Sequence, residues 1–319
     1  MLVGPATVST ALVIGGAGFI GSHLVERLLD DGVAVDVVDD LSSGSLGNLG
    51  AARAMAGSLK IHHLDGGAAE AASLIGMRRP DVVYHLAAIP RSDPDARSLG
   101  AAFARSMSIV EAARHHRIAK IVTAIPASAI YGRPASKDVP LKERPLEPRG
   151  VRGVVARATI DLLEAARDLD AIEFTALALG TVYGPRQRPS GGVVAAFAEA
   201  ARTSTPATIR GDGRQTRDFV FVEDVAAANL AAAQAPDAAG AVVNIGSGER
   251  RTLNDLIAVL HDLTGEHTPP RYTAAQPGDV KHSQADISLA RRIIGYEPQV
   301  DFAEGIRRTC EWYGSRRSG

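Results

Sequence analysis

Apolar runs of strand length alternate with amphipathic stretches through the first half of the chain. This alternation is typical of a parallel sheet that helices cover on both faces. The strands that the pattern predicts are Thr10–Ile14, Val33–Asp39, Lys60–Leu64, Val82–Leu86, Lys120–Ala124 and Glu173–Leu179. The helices that it predicts are Phe19–Asp30, Ala101–His115 and Val154–Asp168. We therefore expect a doubly wound α/β fold in this half.

Beyond Val182 the alternation loosens into connections rich in Gly, Pro and Arg. Helices are predicted there at Val193–Ala201, Val225–Ala233 and Leu253–Leu263. Such a segment suits a smaller lobe over the carboxyl ends of the strands, where open α/β sheets bind ligands. The pattern predicts one domain over residues 1–180 and a second, interleaved with it, over residues 181–319.

Composition narrows the classes of protein that fit this pattern. The 319 residues, 45% hydrophobic and 22% charged, can bury a large core, which excludes a disordered chain and a disulfide-stapled miniprotein. A net charge of −1 gives no basic surface for a polyanion, so nucleic acid is not an expected partner.

Cysteine and histidine usage bear on location and metal content. Cys310 is the single cysteine, and the N-terminus lacks the basic and apolar regions of a secretory leader. No apolar run approaches the roughly 20 residues that span a bilayer. We expect a cytoplasmic protein without membrane contact. His62-His63 and His115-His116 are adjacent pairs whose side chains point in different directions, so no metal site is expected.

A glycine-rich turn follows the first predicted strand. Gly15, Gly18 and Gly21 stand in GxxGxxG spacing where the first predicted strand passes into the first predicted helix. Glycines there allow a tight turn and close approach of a pyrophosphate to the backbone. An ordinary strand-to-helix turn is the alternative, but the strand and helix on either side favour dinucleotide binding.

Two aspartates follow the next predicted strands. Asp39 stands 18 residues after Gly21, close to the interval of about 20 for the carboxylate that holds a ribose diol. An acid at this point favours NAD over NADP. Asp65 is predicted on the adenine side of the same crevice, although a solvated turn aspartate explains it nearly as well.

Further motifs follow in order along the chain. They are GGAGFIGSHLVERLL at 15–29, VVDDLSSG at 37–44, DVVYHLAA at 81–88, TVYGPRQ at 181–187, GDGRQTRDFVFVEDVA at 211–226, VVNIGSG at 242–248 and PGDVKHSQAD at 277–286. Together they resemble the extended short-chain dehydrogenase/reductases, in particular the NAD-dependent nucleotide-sugar epimerases and dehydratases typified by UDP-galactose 4-epimerase.

The resemblance implies a Rossmann lobe that holds NAD, a C-terminal lobe that binds a UDP- or dTDP-sugar, and commonly a homodimer. The cofactor contacts that it implies are Gly15, Gly18, Phe19, Ile20, Gly21, Asp39, Asp65, Leu86, Ala87 and Ala88. The substrate contacts that it implies are Thr181, Val193, Arg217 and Asp279. Arg217 is expected to pair with the pyrophosphate, which suits the planar fork of a guanidinium.

The catalytic motif of that family is missing. Its members use a Tyr four residues before a Lys, and these positions fall here on Gly153 and Arg157. None of the 6 Tyr in the chain stands four residues before a Lys. The family's Ser-Ser segment reads Ile125-Pro126-Ala127. A guanidinium cannot act as a base near neutral pH. The family's mechanism, in which the Tyr is the acid/base group, therefore cannot operate with Gly153 and Arg157.

Two explanations follow from this departure. In the first, acid/base groups have moved, with Tyr131, Ser128 and Arg157 as candidates, and His85 and Asp93 as further possibilities. The expected reaction is then epimerisation at C4 through a 4-keto sugar, with ketoreductase, dehydratase or decarboxylase activity as alternatives. In the second, the chain is a non-catalytic NAD-binding protein, because a fold does not confer its usual activity by itself.

Overall fold

The computed structural model describes residues 7–89, 95–132, 134–143, 145–275 and 280–315. In the first part of the chain, strands and helices follow one another in a regular order. They are β1 (Thr10–Ile14), α1 (Phe19–Asp30), β2 (Ala34–Asp39), α2 (Gly50–Ala54), β3 (Leu59–His63), α3 (Ala69–Arg78), β4 (Val82–His85), α4 (Ala96–His116), β5 (Lys120–Pro126), α5 (Ala127–Ile130), α6 (Gly150–Asp170) and β6 (Glu173–Leu179).

The second part has shorter strands between its helices. Its elements are β7 (Thr181–Tyr183), α7 (Val193–Arg202), β8 (Thr208–Arg210), β9 (Thr216–Arg217), β10 (Phe219–Phe221), α8 (Val222–Gln234), β11 (Ala241–Ile245), β12 (Arg251–Thr252), α9 (Leu253–Thr264), β13 (Arg271–Thr273), α10 (Ser288–Ile294) and α11 (Phe302–Gly314). None of the helices in the described ranges has both the length and the apolar character needed to cross a membrane.

Seven strands form the central sheet, in the order β3-β2-β1-β4-β5-β6-β11. All of its pairings are parallel, and Val13 of β1 lies between Val37 of β2 and Tyr84 of β4. Parallel strands need crossover connections, which the intervening helices supply. The predicted doubly wound Rossmann fold is therefore confirmed.

The two faces of this sheet bury separate hydrophobic cores. In β1, Ala11 and Val13 belong to one core with residues of α1, α8 and α10, while Leu12 and Ile14 belong to the other with α3, α4 and α6. This division follows from the two-residue period of a strand, because successive side chains point to opposite faces. Strands buried on both faces read as the continuous apolar runs seen in the sequence.

The C-terminal segment forms a smaller core of its own and also returns to the main sheet. Tyr183, Phe219 and Phe221 pack together with residues of α7, α9 and α11. Three two-stranded sheets, β7 with β10, β8 with β13 and β9 with β12, frame this lobe. By contrast, α8 packs against α1, and β11 is the edge strand next to β6.

The helices depart from the predicted bounds in two ways. Helices α2, α3, α5, α10 and α11 were not predicted. In α3 the buried face consists of few large apolar residues, mainly Leu74 and Ile75. Helices α4 and α6 begin at Ala96 and Gly150, before the apolar repeat of either helix sets in. For α4 the start is defined by Asp95, whose side chain accepts the Ser98 N–H at 2.7 Å as an N-cap.

Candidate active site

The loop between β1 and α1 turns on glycines that leave no room for side chains. Gly15 has a left-handed φ of +83°. A Cβ on Gly21 would lie 2.1 Å from the Gly15 carbonyl oxygen, and one on Gly18 would lie 3.1 Å from it. The first turn of α1 therefore sits directly against the loop, where its free N–H groups and the helix dipole favour an anion such as a pyrophosphate.

Asp39, at the carboxyl end of β2, is held beside this loop. Its Oδ2 accepts the Ala17 N–H at 2.8 Å, and its Oδ1 accepts the Leu41 N–H at 2.8 Å. The residue is 7% exposed, and this burial raises the pKa of its carboxyl group, against the two backbone hydrogen bonds. Each oxygen keeps a lone pair for a further donor, so the carboxylate can accept the hydroxyls of a ribose.

The loops after β3 and β4 complete the same edge of the sheet. Asp65 accepts the Gly67 N–H and the Arg105 Nε at 2.9 Å each, and these bonds lower the pKa of its carboxyl group. Ala87 lies beside the glycine loop, since a Cβ on Gly15 would be 3.4 Å from the Ala87 Cβ.

The structure thus brings the sequence-predicted cofactor residues to the carboxyl ends of four adjacent strands and the start of α1. They are Gly15, Gly18, Phe19, Ile20, Gly21, Asp39, Asp65, Leu86, Ala87 and Ala88. A glycine-rich loop next to a buried carboxylate fits a dinucleotide with an unmodified ribose diol, which is the chemistry of NAD. Within the described residues, no three His, Cys, Asp or Glu side chains are grouped as metal ligands.

Gly153 lies in α6 where that helix meets the short helix α5. A Cβ at this position would be 2.7 Å from the Ala129 carbonyl oxygen and 3.1 Å from the Pro148 Cβ. Because backbone occupies this space, the helix position has no volume for a larger side chain. One turn later, Arg157 donates from Nε to Asp161 Oδ1 at 2.7 Å, and this bond raises the pKa of the guanidinium.

The hydroxyl candidates have different surroundings. Tyr131 is buried, and its hydroxyl donates to Asn244 Oδ1 at 2.7 Å, which ties α5 to the edge strand β11. Ser128 is exposed near the start of α5, just beyond the carboxyl end of β5. Tyr131 thus has an anchoring hydrogen bond, whereas the Ser128 side chain faces solvent.

The two further acid/base candidates were His85 and Asp93. His85 is buried in β4, with Nε2 at 2.9 Å from Ser106 Oγ. Burial and the positive charge of Arg105 lower its pKa to about 3, so the imidazole is neutral near pH 7. Asp93 lies outside the described residues.

Two of the predicted substrate residues lie on segments that meet at the carboxyl end of β6. The Thr181 N–H donates to the carbonyl oxygen of Asp218 at 2.8 Å, which brings Thr181 next to the segment that carries Arg217. Arg217 is half-buried, and its Nη1 donates to the Thr216 carbonyl oxygen at 2.8 Å. Val193 begins α7, and Asp279 lies outside the described residues.

Comparisons with known proteins agree with this geometry. Residues 11–246 match the model of a family described as "NAD dependent epimerase/dehydratase family". The UDP-glucose 4-epimerase of Mycolicibacterium smegmatis is 35% identical over 315 residues, which cover 96% of this chain and 98% of that protein. The chain belongs to the NAD-dependent epimerase/dehydratase family.

Solved structures show the same relationship in three dimensions. The UDP-glucose 4-epimerase of Thermotoga maritima, solved with UDP-glucose, superposes with a TM-score of 0.86 at 32% identity, covering 95% of this chain and 98% of that one. The Thermus thermophilus UDP-glucose 4-epimerase, solved with NAD, gives a TM-score of 0.84 at 29% identity, covering 96% and 100%. The expected cofactor, NAD, and the expected class, an NAD-dependent enzyme of epimerase type, are therefore confirmed.

Sequence reasoning missed Asp218, which joins three segments of this epimerase-family chain. The residue is 2% exposed, and burial raises the pKa of its carboxyl group. It accepts the Ser247 N–H at 2.6 Å and the Ser247 hydroxyl at 2.8 Å through Oδ1, and the Ala285 N–H at 2.9 Å through Oδ2. The sequence feature that could have indicated Asp218 is its position directly after Arg217, in the Arg217-Asp218-Phe219 segment. Asp218 organises the backbone around Arg217.

Proposed function

We propose that the protein is an NAD-dependent nucleotide-sugar epimerase that acts at C4 of a UDP- or dTDP-hexose through a 4-keto intermediate. The observation that carries this proposal is the buried Asp39 beside the glycine loop, in a chain similar over nearly its whole length to UDP-sugar 4-epimerases. UDP-glucose is the ligand named for the Thermotoga maritima structure, which supports a UDP-sugar here.

The smaller lobe binds the nucleotide part of the substrate in this proposal. Arg217 pairs with the pyrophosphate, since a guanidinium presents several N–H donors to phosphate oxygens. Thr181 and Val193 contact the sugar nucleotide from β7 and α7, while Asp279, the fourth substrate residue that the resemblance implies, lies outside the described residues. The Asp218 hydrogen bonds to Ser247 and Ala285 keep Arg217 in position.

Acid/base chemistry in this proposal uses groups other than a Tyr–Lys pair. NAD held by the glycine loop and Asp39 would supply the hydride acceptor for oxidation at C4 and the hydride donor for reduction of the 4-keto sugar from its opposite face. Ser128, exposed beyond the carboxyl end of β5, would pass the proton between the reacting sugar hydroxyl and solvent. Tyr131 and Arg157 can take part only after their hydrogen bonds to Asn244 and Asp161 have opened.

A second candidate function is NAD binding without sugar oxidation, in partnership with a true enzyme. The close packing of Gly153 against the Ala129 carbonyl oxygen favours it, because the backbone itself fills the space beside this helix position.

A spectroscopic assay distinguishes the first two functions. Full-length protein loaded with NAD is mixed with a panel of UDP- and dTDP-sugars, and the absorbance of reduced nicotinamide and the sugar products are followed. The epimerase proposal expects a transient rise in absorbance and a C4 epimer from at least one sugar. Ser128→Ala should lower this rate at least tenfold, a typical loss for an acid/base group, while Ser73→Ala on α3 should not. No reduction and no product across the panel would contradict the enzyme proposal.

The same proposal includes a homodimer. Met107 on α4 and Val151 and Val154 on α6 are large apolar side chains that are half exposed or more, and the two helices pack against each other. Exposed apolar groups on neighbouring helices favour a protein–protein contact. Sedimentation equilibrium of the full chain tests this, and a monomer at all concentrations would contradict it.

A further inference from the structure

Arg105, on α4, reaches across the edge of the sheet and contacts the loops after three strands. Its Nε donates to Asp65 Oδ1, after β3, at 2.9 Å. Its Nη1 donates to the Ala87 carbonyl oxygen, after β4, at 3.4 Å. Its Nη2 lies 3.9 Å from Asp40 Oδ2, after β2. A single guanidinium therefore links the loops that surround one end of the cofactor crevice.

Two glycines create the space for this side chain. A Cβ on Gly67 would lie 3.1 Å from the Arg105 Cα and 3.3 Å from its Cβ, and one on Gly66 would lie 3.4 Å from its Cδ. The stem of Arg105 thus runs over Gly66 and Gly67, and the side chain is 19% exposed. Packing and hydrogen bonds hold the guanidinium in place before any ligand binds, which lowers the entropic cost of binding.

The position of the adenine follows from the positions of the other parts of NAD. The pyrophosphate lies at the N-terminus of α1, and Asp39 accepts the hydroxyls of the adenosine ribose. The adenine is bonded to that ribose, on the side away from the pyrophosphate. It must therefore lie beyond Asp39, among the loops after β2, β3 and β4, where Arg105 stands.

We propose that Arg105 is an adenine-binding residue, whose guanidinium plane stacks on the adenine ring while its Nε positions Asp65. A planar guanidinium stacks well on a π-system. Asp65 Oδ1 is already occupied by Gly67 and Arg105, whereas Oδ2 accepts no hydrogen bond from the described residues. Oδ2 then accepts the exocyclic amine of the adenine. This inference rests on the NAD site formed by Asp39 and the glycine loop.

A role for Arg105 in binding a 2′-phosphate does not fit the surrounding charges. Asp39, Asp40 and Asp65 place three carboxyl groups around this one guanidinium. The 2′-phosphate of NADP would face the Asp39 carboxylate, and two negative charges in contact repel each other. Arg105 therefore serves the base of NAD and not a phosphate of NADP.

Calorimetric titrations of full-length protein, freed of bound nucleotide, test this role. The ligands are NAD, NADP and the NAD analogue in which hypoxanthine replaces adenine, so that an oxygen stands in place of the exocyclic amine. The variants are Arg105→Ala, Arg105→Lys and the control Arg114→Ala. Arg114 lies on the same helix but pairs with Glu111 on the surface. Arg105→Met, whose stem still covers Gly67, replaces the alanine variant if the latter does not fold.

The expected result has two parts. Arg105→Ala weakens NAD binding about tenfold, consistent with loss of a cation–π contact, and also narrows the preference for NAD over the hypoxanthine analogue. Arg105→Lys, which keeps the charge but not the plane, shows an intermediate loss, and Arg114→Ala binds as the wild type does.

Several results would overturn the inference. These are unchanged or tighter NAD binding by Arg105→Ala, an unchanged preference for adenine, or a wild type that binds NADP more tightly than NAD. A wild type that binds none of the ligands would contradict the NAD site itself, which distinguishes the two failures.

Discussion

Asp39 shows how one residue can organise the proposed cofactor site of this protein. The sequence placed it by its distance from Gly21, and the structure shows what that spacing achieves. The carboxylate accepts the N–H of Ala17 in the glycine loop and the N–H of Leu41 in its own loop. It therefore fixes both loops, and in the proposed NAD site its remaining lone pairs accept the ribose hydroxyls.

Replacing Asp39 by Ala should weaken NAD binding about 10- to 100-fold, because hydrogen bonds to a charged acceptor contribute about 1.5–3 kcal/mol. Calorimetric titration with NAD measures this loss. Asp36→Ala is the matched control, since Asp36 lies on the same strand but its carboxylate pairs with His62 and Arg78. Unchanged affinity in Asp39→Ala would refute the ribose contact.

At the scale of elements, the contact between α5 and α6 separates this chain from the catalytic pattern of the family that it resembles. The sequence showed that Tyr and Lys are replaced by Gly153 and Arg157. The structure adds that α6 approaches the Ala129 carbonyl oxygen so closely that a Cβ would lie 2.7 Å from it. Introducing the Tyr–Lys pair by Gly153→Tyr with Arg157→Lys should therefore not raise sugar oxidation above the wild-type rate, which the absorbance of reduced nicotinamide measures.

Gly153→Ala should destabilise the protein by about 1–3 kcal/mol, because overpacking outweighs the better helix propensity of alanine. Gly100→Ala in α4 is the matched control, since no atom lies within 4 Å of a Cβ there. That variant should gain about 0.5–1 kcal/mol. Urea unfolding of both variants provides the free energies of unfolding. Equal stabilisation by the two substitutions would contradict the tight contact at Gly153.

For the whole molecule, buried histidines link stability to pH. His23 of α1 donates from Nε2 to the Pro185 carbonyl oxygen at 3.1 Å, which connects the cofactor helix to the loop after β7. Burial, together with the positive charge of Arg186, lowers the pKa of His23 to about 4. The folded protein thus favours the neutral imidazole. Its contribution to stability is complete above the ordinary pKa of 6.5 and is lost as the pH falls towards 4.

Protonation of His23 should lower the free energy of unfolding by about 2–3 kcal/mol between pH 7 and pH 4.5. This figure follows because the pKa of His23 is about 4 in the folded protein and 6.5 in the unfolded chain. Urea unfolding at a series of pH values measures this slope. His23→Gln should make the slope less steep, since the buried His85 keeps its own contribution, and His267→Gln, at an exposed position, should leave it as in the wild type. Parallel slopes for His23→Gln and the wild type would exclude this linkage.

The sequence by itself determined the alternation of strands and helices, the Rossmann class, the glycine loop and Asp39. These depend on local features, namely apolar periodicity, backbone freedom at glycine and fixed spacing along the chain. Even the absence of the Tyr–Lys pair is a local fact that can be read from the residues.

Only the tertiary structure decided which groups stand together around the cofactor and beside Gly153. Residues far apart in the chain are joined by hydrogen bonds: Tyr131 to Asn244, Arg105 to Asp65, and Ser247 to the buried Asp218. Spacing and periodicity carry no information about such contacts. They arise because packed helices and strands bring distant side chains within hydrogen-bonding distance, and because burial then requires each polar group to find a partner.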